Sequence, residues 1–464
     1  MHVIKYALVV GKASFSSLYW RIFSLFAERN NNPMRYSKFS FFLPLLVCHL
    51  LKAQAPSPAL VGYFHNWNTQ QTPYIQLDEI DTRYNVVDIS FAIPQAGTTF
   101  NMEFVPEVVS QAIFISQIQT LQSQGRKVII SMGGANAPVS LNNTAEKDVF
   151  VSSMLGIIAT YGFDGIDVDF EGSSVSVSGG TITNPVDAPV INLITGIREI
   201  MNNYYEQNNH RLLLTMAPET VFIQGGQSAY AGSWGGYLPI VNALRDSIEI
   251  LHVQLYNTGS MYGIDGNIYE SGTADFIVAM TEATIQGFTT AGGLFEGLPA
   301  SKIAIGLPAC EAAAGGFTAP LTVKAAVDYL RGEGPQPGSY ILEQSAGYPD
   351  LRGLMTWSIN WDAINTCGPA GGFADNYELI FGTSTAMNDK PVVNNVVWPN
   401  PAATTISVSY KNAINKNVLV KDITGKIVFA GIMKEEEMEI DISEFQCGVY
   451  FVGFDNQFTR IIKQ

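Results

Sequence analysis

The chain has 464 residues, 47% hydrophobic and 14% charged, with a formal net charge of -15. That length and apolar content allow a large core and two or three domains. The acidity argues against nucleic acid or an anionic membrane as partner, since either would repel the chain.

The first elements concern export. Met34-Arg35-Tyr36-Ser37-Lys38 is basic, Phe39 to Leu51 is apolar, and Ala53-Gln54-Ala55 reads as a small-residue cleavage site. This is the layout of a secretory signal peptide over residues 34–55. Such leaders open a chain, so translation is expected at Met34, with residues 1–33 a mis-called upstream segment. The apolar run is short for a transmembrane helix.

From Ala59 to about Gly382, short β-branched runs alternate with longer helical stretches such as Val190–Tyr205 and Val323–Arg331. The predicted strands are Leu60–Phe64, Val86–Ala92, Lys127–Met132, Gly165–Phe170, Arg211–Ala217, Glu249–Tyr256, Lys302–Leu307 and Gly353–Ser358. Strands alternating with helices in this way predict an α/β fold, a (β/α)₈ barrel over residues 56–382. In that fold the C-terminal strand ends carry the chemistry. Here they carry His65, Asn66 and Trp67, then Gly133-Gly134, Glu219, Tyr256-Asn257 and Trp357. Acids, amides and aromatics at matched strand ends describe a cleft suited to a sugar.

After a polar linker at 383–392 the pattern changes to short alternating runs, among them Ile406/Val408, Val418/Val420, Ile427/Phe429 and Ile440/Ile442. They predict a small antiparallel β-sandwich over residues 393–464. Of the four cysteines, Cys48 lies in the leader. Cys310 and Cys367 follow neighbouring predicted strands, and a bridge or two buried thiols are both compatible with that placement.

The densest chemistry lies in Asp164-Gly165-Ile166-Asp167-Val168-Asp169-Phe170-Glu171. In a strand, Ile166, Val168 and Phe170 face one way, and Asp167, Asp169 and Glu171 the other. Neighbouring carboxyls then lie roughly 6–7 Å apart, so at least one keeps its proton near neutral pH. A calcium loop fails as an explanation, because its twelfth position falls on Ser178 rather than Glu. Asp164 has the opposite parity and is expected to support the strand. The histidines His2, His49, His65, His210 and His252 show no ligand spacing, and no phosphate-binding glycine loop is present. No metal or other cofactor is therefore expected; His65 and His252 are expected to line or support the cleft.

The acid row resembles the Asp-Gly-x-Asp-x-Asp-x-Glu signature of glycoside hydrolase family 18, the chitinase family. Ser131-Met132-Gly133-Gly134, Gln254-x-Tyr256-Asn257 and Trp357 resemble its other barrel motifs, in the same order. The family stands among the substrate-assisted exceptions to the two-carboxylate scheme. The resemblance implies that Glu171 is the general acid and that Asp169 orients the substrate's acetamido group. It implies that Asp167 tunes Asp169 and that Tyr256 holds the acetamido carbonyl in line. Trp357 would be the sugar floor, with Tyr63, Met216, Gln254 and Asn257 lining the same subsite and Glu219 a further cleft residue. It implies a secreted monomer that cleaves β-1,4 bonds between N-acetylglucosamine units in chitin or its oligosaccharides. An endo-β-N-acetylglucosaminidase of N-glycan cores and an inactive chitin-binding lectin are the alternatives.

The C-terminal unit resembles the type A sorting domain of the bacterial type IX secretion system. It does so in Pro399-Asn400-Pro401, Asp422-x-x-Gly425-Lys426, Gly448-Val449-Tyr450 and Lys463. That implies the type IX machinery as partner, with export through the periplasm of a Gram-negative bacterium to the surface or medium.

Overall fold

The structure, a computed structural model, describes residues 55–364, 368–382, 396–409, 416–422, 426–435, 437–454 and 457–464. The predicted leader (Ala55 apart), the linker and Cys367 lie outside the described residues. Two compact units divide between Ile380 and Phe381.

The first unit is a closed parallel barrel. Its strands are β1 (Ala59–His65), β2 (Val86–Pro94), β3 (Lys127–Gly133), β4 (Gly165–Asp169), β5 (Leu213–Met216), β6 (Ile250–Leu251), β7 (Ala304–Pro308) and β8 (Gly353–Trp357). They pair in the order β7-β8-β1-β2-β3-β4-β5-β6. The parallel bridges Leu251–Ile303 and Gln254–Gly306 join β6 to β7 and close the ring. The strands read as near-continuous apolar runs because both faces are covered, by the filled barrel interior and by the outer helices.

The helices start and stop at side-chain caps, at a first-turn proline and at left-handed residues. α1 (Gln111–Ser123) is capped by Ser110. α2 (Thr144–Tyr161) is capped by Asn143 and ends at Gly162, φ 73°. α3 (Ala188–Asn208) carries a proline in its first turn and ends at Asn209 in the left-handed region.

One predicted strand is much shorter than the sequence suggests. The Glu249–Tyr256 run keeps regular pairing only at Ile250–Leu251. Beyond it the chain touches its neighbours at single bridges, Gln254 with Glu219 and with Gly306. The departure turns Gln254, Tyr256 and Asn257 toward the barrel mouth. Asp164 accepts the Val128 N–H at 2.9 Å and the Gln122 amide at 3.1 Å, which locks β4 against β3 and α1.

The second unit has two antiparallel sheets. One comprises β9 (Val396–Trp398), β10 (Thr405–Ser409) and β13 (Glu437–Asp441). The other comprises β11 (Asn417–Asp422), β12 (Ile427–Ile432), β14 (Gly448–Phe454) and β15 (Gln457–Lys463). Ile406, Val408, Val418, Val420, Ile440, Val452 and Ile461 form its common core. The Asn400 side chain accepts the Ile462 N–H at 2.9 Å, and Asp422 accepts the Lys426 N–H at 3.1 Å. These sequence motifs therefore pin strand ends within the unit.

Candidate active site

The acid row lies on β4 and just beyond it. Asp167 is fully buried and sits at the centre of a ring of hydroxyls. Tyr63 Oη of β1 donates to its Oδ2 at 2.7 Å, Ser131 Oγ of β3 to the same oxygen at 2.8 Å, and Thr215 Oγ1 of β5 to Oδ1 at 2.6 Å. His252 Nε2 stands 3.4 Å from Oδ1. Burial lowers the His252 pKa, so the ring is neutral there.

Asp169 is also buried. Burial first, then the charges of Glu171 and Asp167, raise its pKa well above the carboxylate range, so it keeps a proton at neutral pH. Glu171 is half-buried at the strand tip. Burial is the main cause raising its pKa as well, with a contribution from the charge of Glu219, while bonds from Gln254 and Asp169 oppose the rise. Two adjacent carboxyls, both pushed toward the acid form, can hold a proton ready for a leaving group.

Gln254 Nε2 ties the pair together. It donates to Asp169 Oδ1 at 2.8 Å and Glu171 Oε1 at 3.1 Å, and also reaches Ala217 O at 3.0 Å. Behind the tip, Tyr237 of α4 (Leu238–Leu244 with Tyr237 as its cap) accepts the Phe170 N–H at 2.8 Å and donates to Phe170 O at 3.0 Å. The next turn is fixed by Glu219, which accepts the Gly172 N–H at 3.0 Å. On the other side, the Gly134 N–H donates to Asp169 O at 2.7 Å. Gly133 and Gly134 have φ of 100° and 81°. A Cβ on Gly133 would meet Asp169 O at 2.7 Å, and one on Gly134 the Phe91 ring at 2.9 Å. The glycine pair is the condition for β3 to pass this close to the acid row.

Above the row opens a cleft of about 560 Å³ whose walls include Asp169, Glu171, Gln254, Tyr256, Asn257 and Trp357. Trp357 is partly exposed and packs at 5.9 Å, nearly parallel, on Phe91. Tyr63, His65 and Trp67 complete its surroundings at 5.7, 4.7 and 6.4 Å. His65 stacks on Trp67 at 4.6 Å, and burial lowers its pKa to about 3, so it serves as a neutral aromatic. The cleft continues past Trp67 to Glu103, Val105 and Glu107.

The predicted site residues thus fall into layers. Asp169, Glu171, Gln254, Tyr256, Asn257 and Trp357 meet around one cavity. Asp167 and Tyr63 lie one layer lower, and Tyr63 bonds Asp167 instead of lining the subsite. Met216 is fully buried in the barrel wall. Asn257 lines the cleft in a left-handed conformation, with its side-chain oxygen engaged by the Gly315 N–H at 2.9 Å. Glu219 flanks the cleft through Gly172. Cys310 is disulfide-bonded; its expected partner Cys367 lies outside the described residues.

Sequence reasoning missed Tyr237, Thr215 as a ligand of Asp167, and Asp88. Asp88 lies on β2, in register with Tyr63, and is fully buried. A single charged residue inside a mostly apolar strand was its one signal.

Known proteins resemble both parts of the chain. Residues 59–344 match the family "Glycosyl hydrolases family 18", and residues 396–464 match "Secretion system C-terminal sorting domain". Chitinase Chi52 of Paenibacillus xylanexedens is 44% identical over 310 residues, covering 66% of this chain and 58% of that protein. Chitinase D of Niallia circulans is 45% identical over 311 residues, covering 66% and 58%. The chain thus spans a little over half the length of these relatives. A crystal structure of a family GH18 chitinase from Chromobacterium violaceum is 35% identical, with a TM-score of 0.63 over 71% of this chain and 85% of that one.

Proposed function

On the premise that the chain belongs to glycosyl hydrolase family 18, we propose that it is a secreted chitinase that hydrolyses β-1,4 bonds between N-acetylglucosamine units with retention. One observation carries the reading. A buried Asp169, its pKa raised by burial and by the neighbouring carboxylates, lies beside the Glu171 tip in a cleft floored by Trp357, and Gln254 bonds both carboxyls.

Glu171, its pKa raised by burial, protonates the glycosidic oxygen. A well-placed general acid contributes typically ~10²–10⁴-fold. The nucleophile is the acetamido carbonyl of the sugar itself, which attacks its own anomeric carbon as the leaving group departs. Asp169 hydrogen-bonds the acetamido group, and the negative charge left on the Asp169–Glu171 pair once Glu171 has given up its proton balances the positive charge of the resulting oxazolinium ion. Tyr256, kept neutral by burial and the surrounding carboxylates, steadies the carbonyl oxygen. Water then opens the ion from the same face, returning its proton to Glu171, and retention results. Pre-orienting an internal nucleophile can be worth effective molarities of ~10⁵–10⁸ M.

The same reading divides the chain into a leader at 34–55, a catalytic barrel to residue 382, a linker, and a sorting unit from residue 393. The C-terminal match places the protein among those exported by a sorting signal. We assign the carrier as the type IX machinery, acting after passage through the periplasm. Chitin is the partner of the barrel.

The test is mass analysis of products from a defined N-acetylglucosamine hexamer. Wild type should release shorter oligomers, and Glu171→Gln should fold normally yet lose at least ~10²-fold in kcat. Binding without any reducing-end release by wild type would sink the enzymatic reading. Cleavage confined to N-glycan cores would redirect the substrate to glycoproteins.

A further inference from the structure

The barrel interior holds a fourth carboxyl that the mechanism above does not use. One oxygen of Asp88, one of Asp167 and a ring nitrogen of His252 lie within 4.8 Å of one another, all fully buried. The titratable groups facing Asp88 are Tyr63 from β1, Asp167 and Asp169 from β4, and His252 beyond β6. Among the described residues, neither Asp88 oxygen has a hydrogen-bond partner of ordinary geometry; the Tyr63 hydroxyl is near enough to oppose slightly the rise of the Asp88 pKa, but its short bond goes to Asp167. The Tyr63 hydroxyl proton is engaged by Asp167, as are those of Ser131 and Thr215.

An ionised carboxyl in this place would be a dry anion with no donor, beside a second anion. The two ways out are a cation or a proton. Asp167 already accepts three hydroxyl protons, and these occupy the oxygens a cation would need. A proton on Asp88 solves both problems at once: it removes the buried charge, and it gives Asp88 an O–H to donate to Asp167. Burial and the charges of Asp167 and Asp169 also push the Asp88 pKa well above the carboxylate range.

We propose that Asp88 is a protonated positioning residue, whose carboxyl O–H donates to Asp167 and fixes that group as the acceptor behind Asp169. The proposal rests on the hydrolytic reading above. Its consequence is a defined proton count along the row. With Asp88 supplying a donor, Asp167 has no need of the proton on Asp169, which stays on the side of Glu171 and the substrate. Without that donor, Asp167 competes for the proton of Asp169, and the acid–base pair loses its setting. Asp88 touches no wall of the cleft, so the effect falls on kcat rather than KM.

Two substitutions separate this role from packing. Asp88→Asn keeps the shape and a neutral donor; Asp88→Leu keeps the volume and removes the donor. Expected for Asp88→Asn is a kcat on the N-acetylglucosamine hexamer within about threefold of wild type, and an alkaline limb of the pH–rate profile within about 0.3 units. Expected for Asp88→Leu is a loss of at least ~10-fold in kcat, KM within about twofold, and a displaced alkaline limb. Infrared spectroscopy of the protein at neutral pH should show buried protonated-carboxyl C=O absorption from Asp88 as well as Asp169, and Asp88→Asn should remove one component of it. This last measurement needs neither activity nor a folded leucine variant. The proposal is overturned if the protonated-carboxyl absorption is undiminished in Asp88→Asn, if asparagine and leucine lose kcat equally, or if leucine keeps the wild-type profile. Failure of wild type to cleave the hexamer would count against the hydrolase reading instead, and the infrared result would still decide the state of Asp88.

Discussion

Tyr237→Phe removes one oxygen atom and tests how the catalytic tip is held. Phe170 immediately precedes Glu171, and its N–H and C=O both bond the Tyr237 hydroxyl, at 2.8 and 3.0 Å. Phe170 is 1% exposed and Tyr237 0%, so water cannot replace the hydroxyl. Burial and the nearby carboxylates raise the Tyr237 pKa well above 10, so the group is a neutral donor and acceptor throughout the working pH range. Phenylalanine keeps the ring contact with Phe222 at 5.3 Å and deletes only the clamp. A buried backbone group left without a partner costs about 1–3 kcal/mol. For a domain of this size that is a fall in Tm of roughly 2–4 °C per kcal/mol, or about 2–12 °C in all. A tip free to shift by an ångström also misplaces the acid, at up to ~10²-fold in kcat with little change in KM. Differential scanning calorimetry and oligomer kinetics read the two effects separately. An unchanged Tm together with an unchanged kcat would refute the clamp; a lower Tm with full kcat would confine Tyr237 to stability.

Two further perturbations address charge and floor. The negative charge of Glu219 helps to raise the Glu171 pKa; Glu219→Gln removes that charge but keeps an oxygen for the Gly172 N–H. The Glu171 pKa should then fall, so the alkaline limb of kcat/KM, set by loss of the Glu171 proton, should move to lower pH. A limb that stays or rises contradicts the assignment of Glu171 as acid. Trp357→Ala strips a ring from Tyr63, His65, Trp67 and Phe91, each aromatic pair being worth about 0.5–1.5 kcal/mol. It should lower kcat/KM by at least ~10-fold and Tm by several degrees, with Trp357→Phe intermediate in both; an alanine variant with wild-type KM for long oligomers would remove the ring from the binding surface.

The acid row was legible because its period is local. Asp167, Asp169 and Glu171 alternate with Ile166, Val168 and Phe170 within six residues, so one strand suffices to place them on one face. What lies across the barrel is not written locally. Tyr237 is 67 residues from the backbone groups it clamps, and Thr215 is 48 from Asp167. Depth was equally hidden. Tyr63 stands two residues before the end of β1, and the rise of about 3.3 Å per residue puts it one layer beneath the rim, under Trp357 rather than beside it. The Glu249–Tyr256 run reads as a full strand from its apolar content, yet its ladder stops at Leu251. Propensity records the buried surroundings there, whereas the path is set by bridges to Glu219 and Gly306 that only closure of the barrel supplies.

Closure also explains how a protein can keep four carboxyls so close. In an open sheet such a row would take up water and counter-ions, and each group would titrate near its ordinary value. Here eight strands converge on one axis, and β1, β3 and β5 each bring a hydroxyl to Asp167. Among the described residues, the ion pairs of the row involve only His252, which burial keeps neutral. With no fixed cation to absorb the charge, protons must do so. Their number is then set by geometry: hydroxyls go to Asp167, and the raised pKa values of Asp88, Asp169 and Glu171 keep acid protons available on either side of it. A lysine or arginine in the interior would stabilise the same row more strongly and would also lower the pKa of Glu171, leaving the tip without a proton to give. Among the described residues no interior lysine or arginine faces the acid row, and that is the physical condition for Glu171 to hold the proton the proposed reaction requires.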